Sequence, residues 1–137
     1  MILRKYLKDI VDNKTMIIHN WVNNEKVANI FYTHNIETDA FLKDSASALI
    51  DYYIQLIDSD LTDENCADMD DLLHLFEIKK IKYHELFILC KIFKKSFSNY
   101  FIKNNNLPSQ LEKEIFLIFD LSYKLIEYLL REAANKF

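Results

Sequence analysis

Apolar residues recur every three or four positions along most of the chain, which is the spacing of α-helices that bury one face. The N-terminal part carries three such stripes, and Asn13 and the pair Asn23 and Asn24 weaken the helix between them. Their apolar positions are Leu3, Tyr6, Leu7, Ile10 and Val11, then Ile17, Ile18, Trp21 and Val22, then Val27, Ile30 and Phe31. The pattern predicts two or three short helices here.

A polar break at residues 33–39 separates these helices from the next, for which Thr38 or Asp39 is the predicted cap. This next helix is predicted as one continuous element that stops near residues 58–60. Its apolar positions are Phe41, Ala46, Leu49, Ile50, Tyr53, Leu56 and Ile57.

Three further helices are predicted in the second half of the chain. One begins near Asn65, and a long one follows the sequence IKKIK and ends at residues 104–106, which are all asparagine. Pro108 suits the first turn of the last helix, because proline has no N–H to lose there. The apolar pattern of that last helix runs almost to the final residue.

These elements predict one all-α domain over residues 1–137, globin-like or bundle-like, with five to seven helices and a long C-terminal helix. Gly is absent and Pro occurs once, which argues against tight hairpins, since their turns depend on Gly. Asn can take the left-handed conformation at helix ends instead. The predicted core consists of Trp21, Leu49, Tyr53, Leu73, Phe76, Leu86, Cys90, Phe93, Phe97, Ile115, Phe119 and Ile126.

Composition narrows the class of protein. The net charge of −4 disfavours a nucleic-acid partner, which requires a basic surface. No segment approaches the roughly 20 apolar residues of a membrane span, and the N-terminus lacks the apolar stretch of a signal peptide. Cys66 and Cys90 stand far apart, as reduced thiols of a cytoplasmic protein do.

Motifs for catalysis and metal binding are missing from the sequence. No Glu-x-x-His pair supports a di-iron site, and the acidic run from Asp58 to Asp71 lacks the Gly and the Glu of a calcium loop. The absence of Gly excludes a phosphate-binding loop, and no nucleophile–base arrangement is visible. We therefore expect no catalytic residue, no metal and no cofactor.

The four histidines were weighed as haem ligands, because a helical domain of this size can enclose a haem. An axial histidine points into an apolar pocket, and only His74 and His84 lie close enough to apolar stripes to qualify. Ordinary half-buried histidines are far more frequent. His34 falls in a predicted loop and is expected to be exposed. The lysines at residues 79–95 are expected to form the solvated face of helices.

Weak patterns of apolar spacing cover nearly the whole chain in the segments IVDNKTMIIHNW, FLKDSASALIDYYIQLI, DLLHLFEIKKIKYHELFILCKIFKKSF and EKEIFLIFDLSYKLIEYLLREAANKF. In these segments the chain resembles the N-terminal domain of the stressosome RsbR/RsbRD family, a non-haem variant of the globin-like sensors. Lys82 stands where that family often has Gly, so the turn before Tyr83 is expected to be tighter or more helical.

The resemblance implies a regulatory input domain of a bacterial-type signalling protein, which pairs as a dimer and precedes an output module or a partner signalling protein. The alternatives are a haem-based gas sensor and a structural dimerisation module without a ligand. The last helix is apolar on more than one side, which predicts a homodimer, since a helix packed only on its own domain needs a narrower stripe. The predicted interface residues are Ile118, Ser122, Leu125 and Leu129.

Overall fold

A computed structural model describes residues 3–59, 67–104, 110–117, 120, 127 and 131, with residues 67–69 and 101–104 described by their backbone alone. These residues form helices and turns, and no β-strand occurs among them. A 3-10 helix, Leu3–Tyr6, precedes α1 (Leu7–Asp12), α2 (Lys14–Val22), α3 (Glu25–Thr33), α4 (Thr38–Asp44), α5 (Ser47–Asp58), α6 (Ala67–Ile78) and α7 (Tyr83–Asn104). Residues 110–117 are also helical.

The predicted all-α class and the predicted five to seven helices are confirmed by α1–α7. None of the described helices has the length and apolar character needed to cross a membrane. Whether the arrangement is globin-like stays a prediction.

Helices α3 and α4 each begin at a polar residue that lies between two apolar stripes. The side chain of Asn24 accepts a hydrogen bond from the backbone N–H of Lys26 at 2.9 Å and begins α3. The cap of α4 was predicted as Thr38 or Asp39, and this is wrong. Glu37 is the cap, because its longer carboxylate reaches the backbone N–H groups of Asp39 and Ala40.

The helix predicted to run from residue 38 to residue 58 is two helices, so the prediction of one continuous element is wrong. The break falls at Ser45, whose φ of −133° leaves the helical region. The backbone N–H groups of Ser45 and Ala46 both bond to the carbonyl of Phe41 and end α4 there. This break lets α4 bury Phe41 while α5 buries Ala48, Leu49 and the residues that follow.

Trp21 lies at the centre of an aromatic core. It is fully buried, and its ring lies edge-on to Phe31, Phe41 and Phe93 with centroids 6.3, 5.8 and 5.3 Å away. Its indole N–H donates to the backbone carbonyl of Leu89 at 3.0 Å, which satisfies the one polar group of the side chain. Trp21 therefore joins α2 to α3, α4 and α7.

The predicted core is confirmed at each of its described positions, from Trp21 to Ile115. Phe119 and Ile126 lie outside the described residues. Helix α2 packs against α5 and α7, α5 against α6, and α3 against α7. Burial raises the pKa of the Cys90 thiol to about 12, so this cysteine is protonated and unreactive at neutral pH.

One carboxylate is buried at the edge of this core. Glu114, which is 7% exposed, accepts a hydrogen bond from the backbone N–H of Leu3 at 2.9 Å. This contact joins the first described residue of the chain to the helical segment 110–117. It satisfies an N–H at the start of the 3-10 helix that has no partner within that helix.

Candidate functional site

Two turns of the same kind face each other at one rim of the core. After α3, Asn35 takes a left-handed conformation with φ of 58°, and after α6, Lys80 does so with φ of 62°. In each turn the next residue donates its backbone N–H five residues back, from Ile36 to Phe31 and from Ile81 to Phe76. Both are therefore Schellman C-caps. We call residues 34–36 and 79–81 the paired turns.

The two turns exchange hydrogen bonds through their basic side chains. His34 Nδ1 lies 2.9 Å from the backbone carbonyl oxygen of Lys79, and Lys79 Nζ donates to the backbone carbonyl of Asn35 at 3.1 Å. Each of these two side chains thus meets a carbonyl oxygen at the C-terminal end of the opposite helix, where the helix dipole favours positive charge. The two turns are held together by polar contacts.

Glu85 completes the site from the start of α7. Both of its carboxylate oxygens lie 2.8 Å from His34 Nε2, and one accepts the backbone N–H of Lys82 at 3.0 Å. Glu85 is the third residue of α7, and a glutamate there reaches back to the residue that precedes the helix, as in a capping box. The ends of α3 and α6 and the start of α7 therefore meet at one imidazole.

The number of hydrogen bonds that His34 donates depends on whether its ring carries one proton or two. Both ring nitrogens of His34 face oxygen acceptors, so a doubly protonated ring donates twice, whereas a neutral ring has one N–H to donate. Burial raises the pKa of Glu85, but the Lys82 N–H, the bond to His34 and the charges of His34 and His84 lower it by more. The net pKa lies below the ordinary value of 4.5.

The side chains of His34 and Glu85 are largely, but not completely, removed from water. The side chains of His34 and Glu85 are 12% and 14% exposed. An open depression of about 730 Å³ lies beside them, lined by Tyr32, Thr33, Asn35, Ile36 and Glu37. The same turn residue, Asn35, therefore accepts the bond from Lys79 and lines this depression.

The two candidate haem ligands are at the surface. His74 on α6 and His84 on α7 are both exposed, whereas an axial ligand points into an apolar pocket. The haem alternative stays a prediction from the sequence. Within the described residues, no three metal-binding side chains are grouped as a metal site requires.

His34 was predicted to be an exposed loop residue, and this prediction is wrong. It lies in a turn, as predicted, but the α6–α7 corner covers it. Sequence reasoning missed both His34 and Glu85 as a site, because they are 51 residues apart and neither belongs to a motif. The one local signal for Glu85 is its position at the start of a helix, where glutamate is favoured.

The predicted dimer interface, Ile118, Ser122, Leu125 and Leu129, lies outside the described residues. The helical segment 110–117, which precedes these residues in the chain, buries Leu111 and Ile115 and leaves Phe116 and Leu117 47% and 49% exposed. Two contacts connect described residues of the C-terminal part of the chain to α7. Lys94 Nζ lies 3.6 Å from the centre of the Phe116 ring, and the Arg131 guanidinium carbon lies 5.6 Å from the Tyr83 ring.

Comparison of the chain with protein-family models, with characterised proteins and with solved structures found no match. The resemblance to the stressosome sensor domains therefore stays a prediction, and the class of protein rests on the fold and on the site described above.

Proposed function

We propose that this chain is a regulatory input domain of a signalling protein, which acts by conformational change in a homodimer and performs no catalysis. The observation that supports this proposal is the convergence of three helix ends on His34 and Glu85. The contacts are polar and pair two turns that are distant in sequence, so a modest change at this rim alters how α3 meets α6 and α7 while the apolar core stays packed.

A path of contacts leads from the paired turns to the C-terminal helix. Glu85 lies two residues after Tyr83, whose ring is within cation–π distance of Arg131. Farther along α7, Lys94 makes the same kind of contact with Phe116. A shift of α7 that follows opening of the paired turns therefore acts on the helix for which we propose pairing in the dimer and connection to an output module or partner.

Hydrogen exchange of the variant His34→Gln tests the coupling. We expect faster exchange in peptides that contain the paired turns and also in peptides of the C-terminal helix, because the variant loses the imidazole that binds Glu85. His84→Gln is the matched control, since it removes an exposed histidine beside the same carboxylate. Faster exchange confined to residues 30–37 would contradict a regulatory role for the paired turns.

A thermal-shift screen of small molecules distinguishes an input domain from a purely structural dimerisation module. A ligand that binds only the folded protein raises its stability by mass action. The open depression beside Asn35 is the expected binding place, so substitution of Tyr32, which lines it, should reduce the shift. If a ligand raises the melting temperature of that variant as much as that of the wild type, it binds elsewhere, and the depression is not the binding site.

The dimer is expected to depend on the exposed residues Phe116 and Leu117 and on the interface residues predicted from the sequence. We expect Phe116→Glu with Leu117→Glu, and separately Leu125→Glu with Leu129→Glu, to give folded monomers, because carboxylates are costly to bury in an interface. Met16→Glu is the control, as Met16 is 44% exposed on α2. Sedimentation at high micromolar concentration measures the state.

A wild-type protein that sediments as a monomer under those conditions would remove the dimer from the proposal. A dimer that survives both pairs of substitutions would place the interface on another surface.

A further inference from the structure

The outer side of α7 combines exposed aromatic and basic side chains. Tyr83, Phe87, Lys91 and Lys95 are exposed and recur every four residues. A helix turns by about 100° per residue, so each step of four moves the stripe by about 40°. The four side chains therefore cover a continuous arc of about 120°, with the aromatic residues at the start of the helix and the lysines beyond them.

The turn before α7 extends this surface. Lys80 and Lys82 are both exposed there, directly before Tyr83. We call Lys80, Lys82, Tyr83, Phe87, Lys91 and Lys95 the basic face. Its aromatic part is large, since Tyr83 and Phe87 are 43% and 48% exposed.

The charge of this face is not compensated by neighbours in the described part of the chain. Residues 79–95 contain six lysines and a single glutamate, in a protein whose net charge is −4. That glutamate, Glu85, is already bound to His34 and to the Lys82 N–H. Within the described residues, the ion pairs involve Lys14, His34 and Arg131 and none of the lysines of the basic face.

This chemistry selects the partner. The four lysines form no ion pair with a described residue and suit carboxylates of a partner. The exposed parts of the Tyr83 and Phe87 rings suit apolar side chains beside those carboxylates. A single-stranded nucleic acid would also present negative charge to the lysines and bases to the rings, and the experiment below distinguishes it from an acidic segment. We propose that the basic face docks an acidic amphipathic segment of a partner protein. This inference goes beyond the regulatory role and does not depend on the paired turns.

A fluorescent peptide of roughly 18 residues, five helical turns, provides the probe. Leu occupies every third or fourth position, and Glu occupies the remaining ones. We expect saturable binding that weakens at least about tenfold when salt is raised from about 50 to about 300 mM, because screening reduces attraction between exposed charges. A peptide with Gln in place of Glu, and one with the Leu positions scrambled, should each bind at least about tenfold more weakly.

Charge reversal locates the site. Lys91→Glu with Lys95→Glu should weaken binding at least about tenfold, whereas Lys26→Glu with Lys43→Glu, which makes the same change of net charge at exposed positions of α3 and α4, should leave it within about twofold. Phe87→Ala should also weaken binding. Equal loss in both lysine pairs, or equal affinity for the Glu and Gln peptides, would overturn the proposal. Tighter binding of a single-stranded RNA or of anionic vesicles through Lys91 and Lys95 would overturn it as well.

Discussion

Replacing Trp21 with alanine is expected to lower the free energy of unfolding by about 3–5 kcal/mol, the usual cost of removing a large buried aromatic side chain. Trp21 contacts three other rings from three helices, so the cavity left behind is bounded by α3, α4 and α7. These rings are themselves packed against one another, as Phe31 and Phe41 show with centroids 4.7 Å apart. The surrounding rings therefore move little into the cavity, so the loss of stability is close to the full cost of an unfilled cavity.

The variant Trp21→Phe separates packing from hydrogen bonding. It keeps an aromatic ring but loses the indole N–H that donates to Leu89, and we expect a loss of about 1–2 kcal/mol. Trp21 is the single tryptophan, so unfolding in urea has to be followed by circular dichroism. Tyr32→Ala, at a side chain 87% exposed, should change stability by less than about 0.5 kcal/mol. Equal losses for Trp21→Ala and Tyr32→Ala would show that Trp21 is not central.

The sequence predicts the core well because burial in helices is a local pattern. Trp21, Phe93 and Phe97 each lie on a stripe of apolar residues at helical spacing, and that spacing alone places them inward. The break at Ser45 was not predictable in the same way. Serine is tolerated within helices, and the two hydrogen bonds from Ser45 and Ala46 to the Phe41 carbonyl that end α4 leave no trace in the apolar spacing.

Turns were predictable where the residue type carries the conformation. Asn35 is of a type that tolerates positive φ, and asparagine was expected to replace glycine at helix ends. Lys80 takes the same conformation without that preference. Lys82, which stands where the resembling family often has Gly, is not among the positive-φ residues. The turn before α7 was located correctly, but the sequence carries no signal for the positive φ of Lys80.

Buried polar contacts lay beyond the sequence. Glu114 stands between Leu111 and Ile115, and its position on an inward stripe was visible, but its partner, the N–H of Leu3, is 111 residues away. The pairing of His34 with Glu85, 51 residues apart, was equally absent from the sequence pattern. A single sequence shows which residues are polar and where they fall on a helix, whereas the pairing of distant polar groups depends on how the helices pack.

Loss of the His34–Glu85 pair is expected to lower the free energy of unfolding by about 2 kcal/mol, the range of hydrogen bonds that involve charged groups. His34→Ala removes the donor, and Glu85→Gln removes the charge while keeping an acceptor for the Lys82 N–H. A double-mutant cycle isolates the pair. We expect a coupling energy of about 1–2 kcal/mol, since both side chains are less than a sixth exposed.

His84 provides the matched control for this cycle. It precedes Glu85 and lowers its pKa through charge alone, as the last and smallest of the contributions. The cycle of His84→Ala with Glu85→Gln should therefore give less than about 0.5 kcal/mol. A coupling energy for His34 no larger than that for His84 would mean that the paired turns are held by packing and not by this pair.

The dependence on pH follows from the lowered pKa of Glu85. Because the folded-state pKa lies below the ordinary value of 4.5, the stabilisation from the ionised carboxylate is fully present above that value. It is lost as pH falls through the folded-state pKa, when the carboxylate gains a proton and its charge no longer attracts His34. The difference in unfolding free energy between wild type and Glu85→Gln should thus shrink below pH 4.5 in urea titrations. A difference that does not change with acidification would show that the Glu85 charge does not hold the paired turns together.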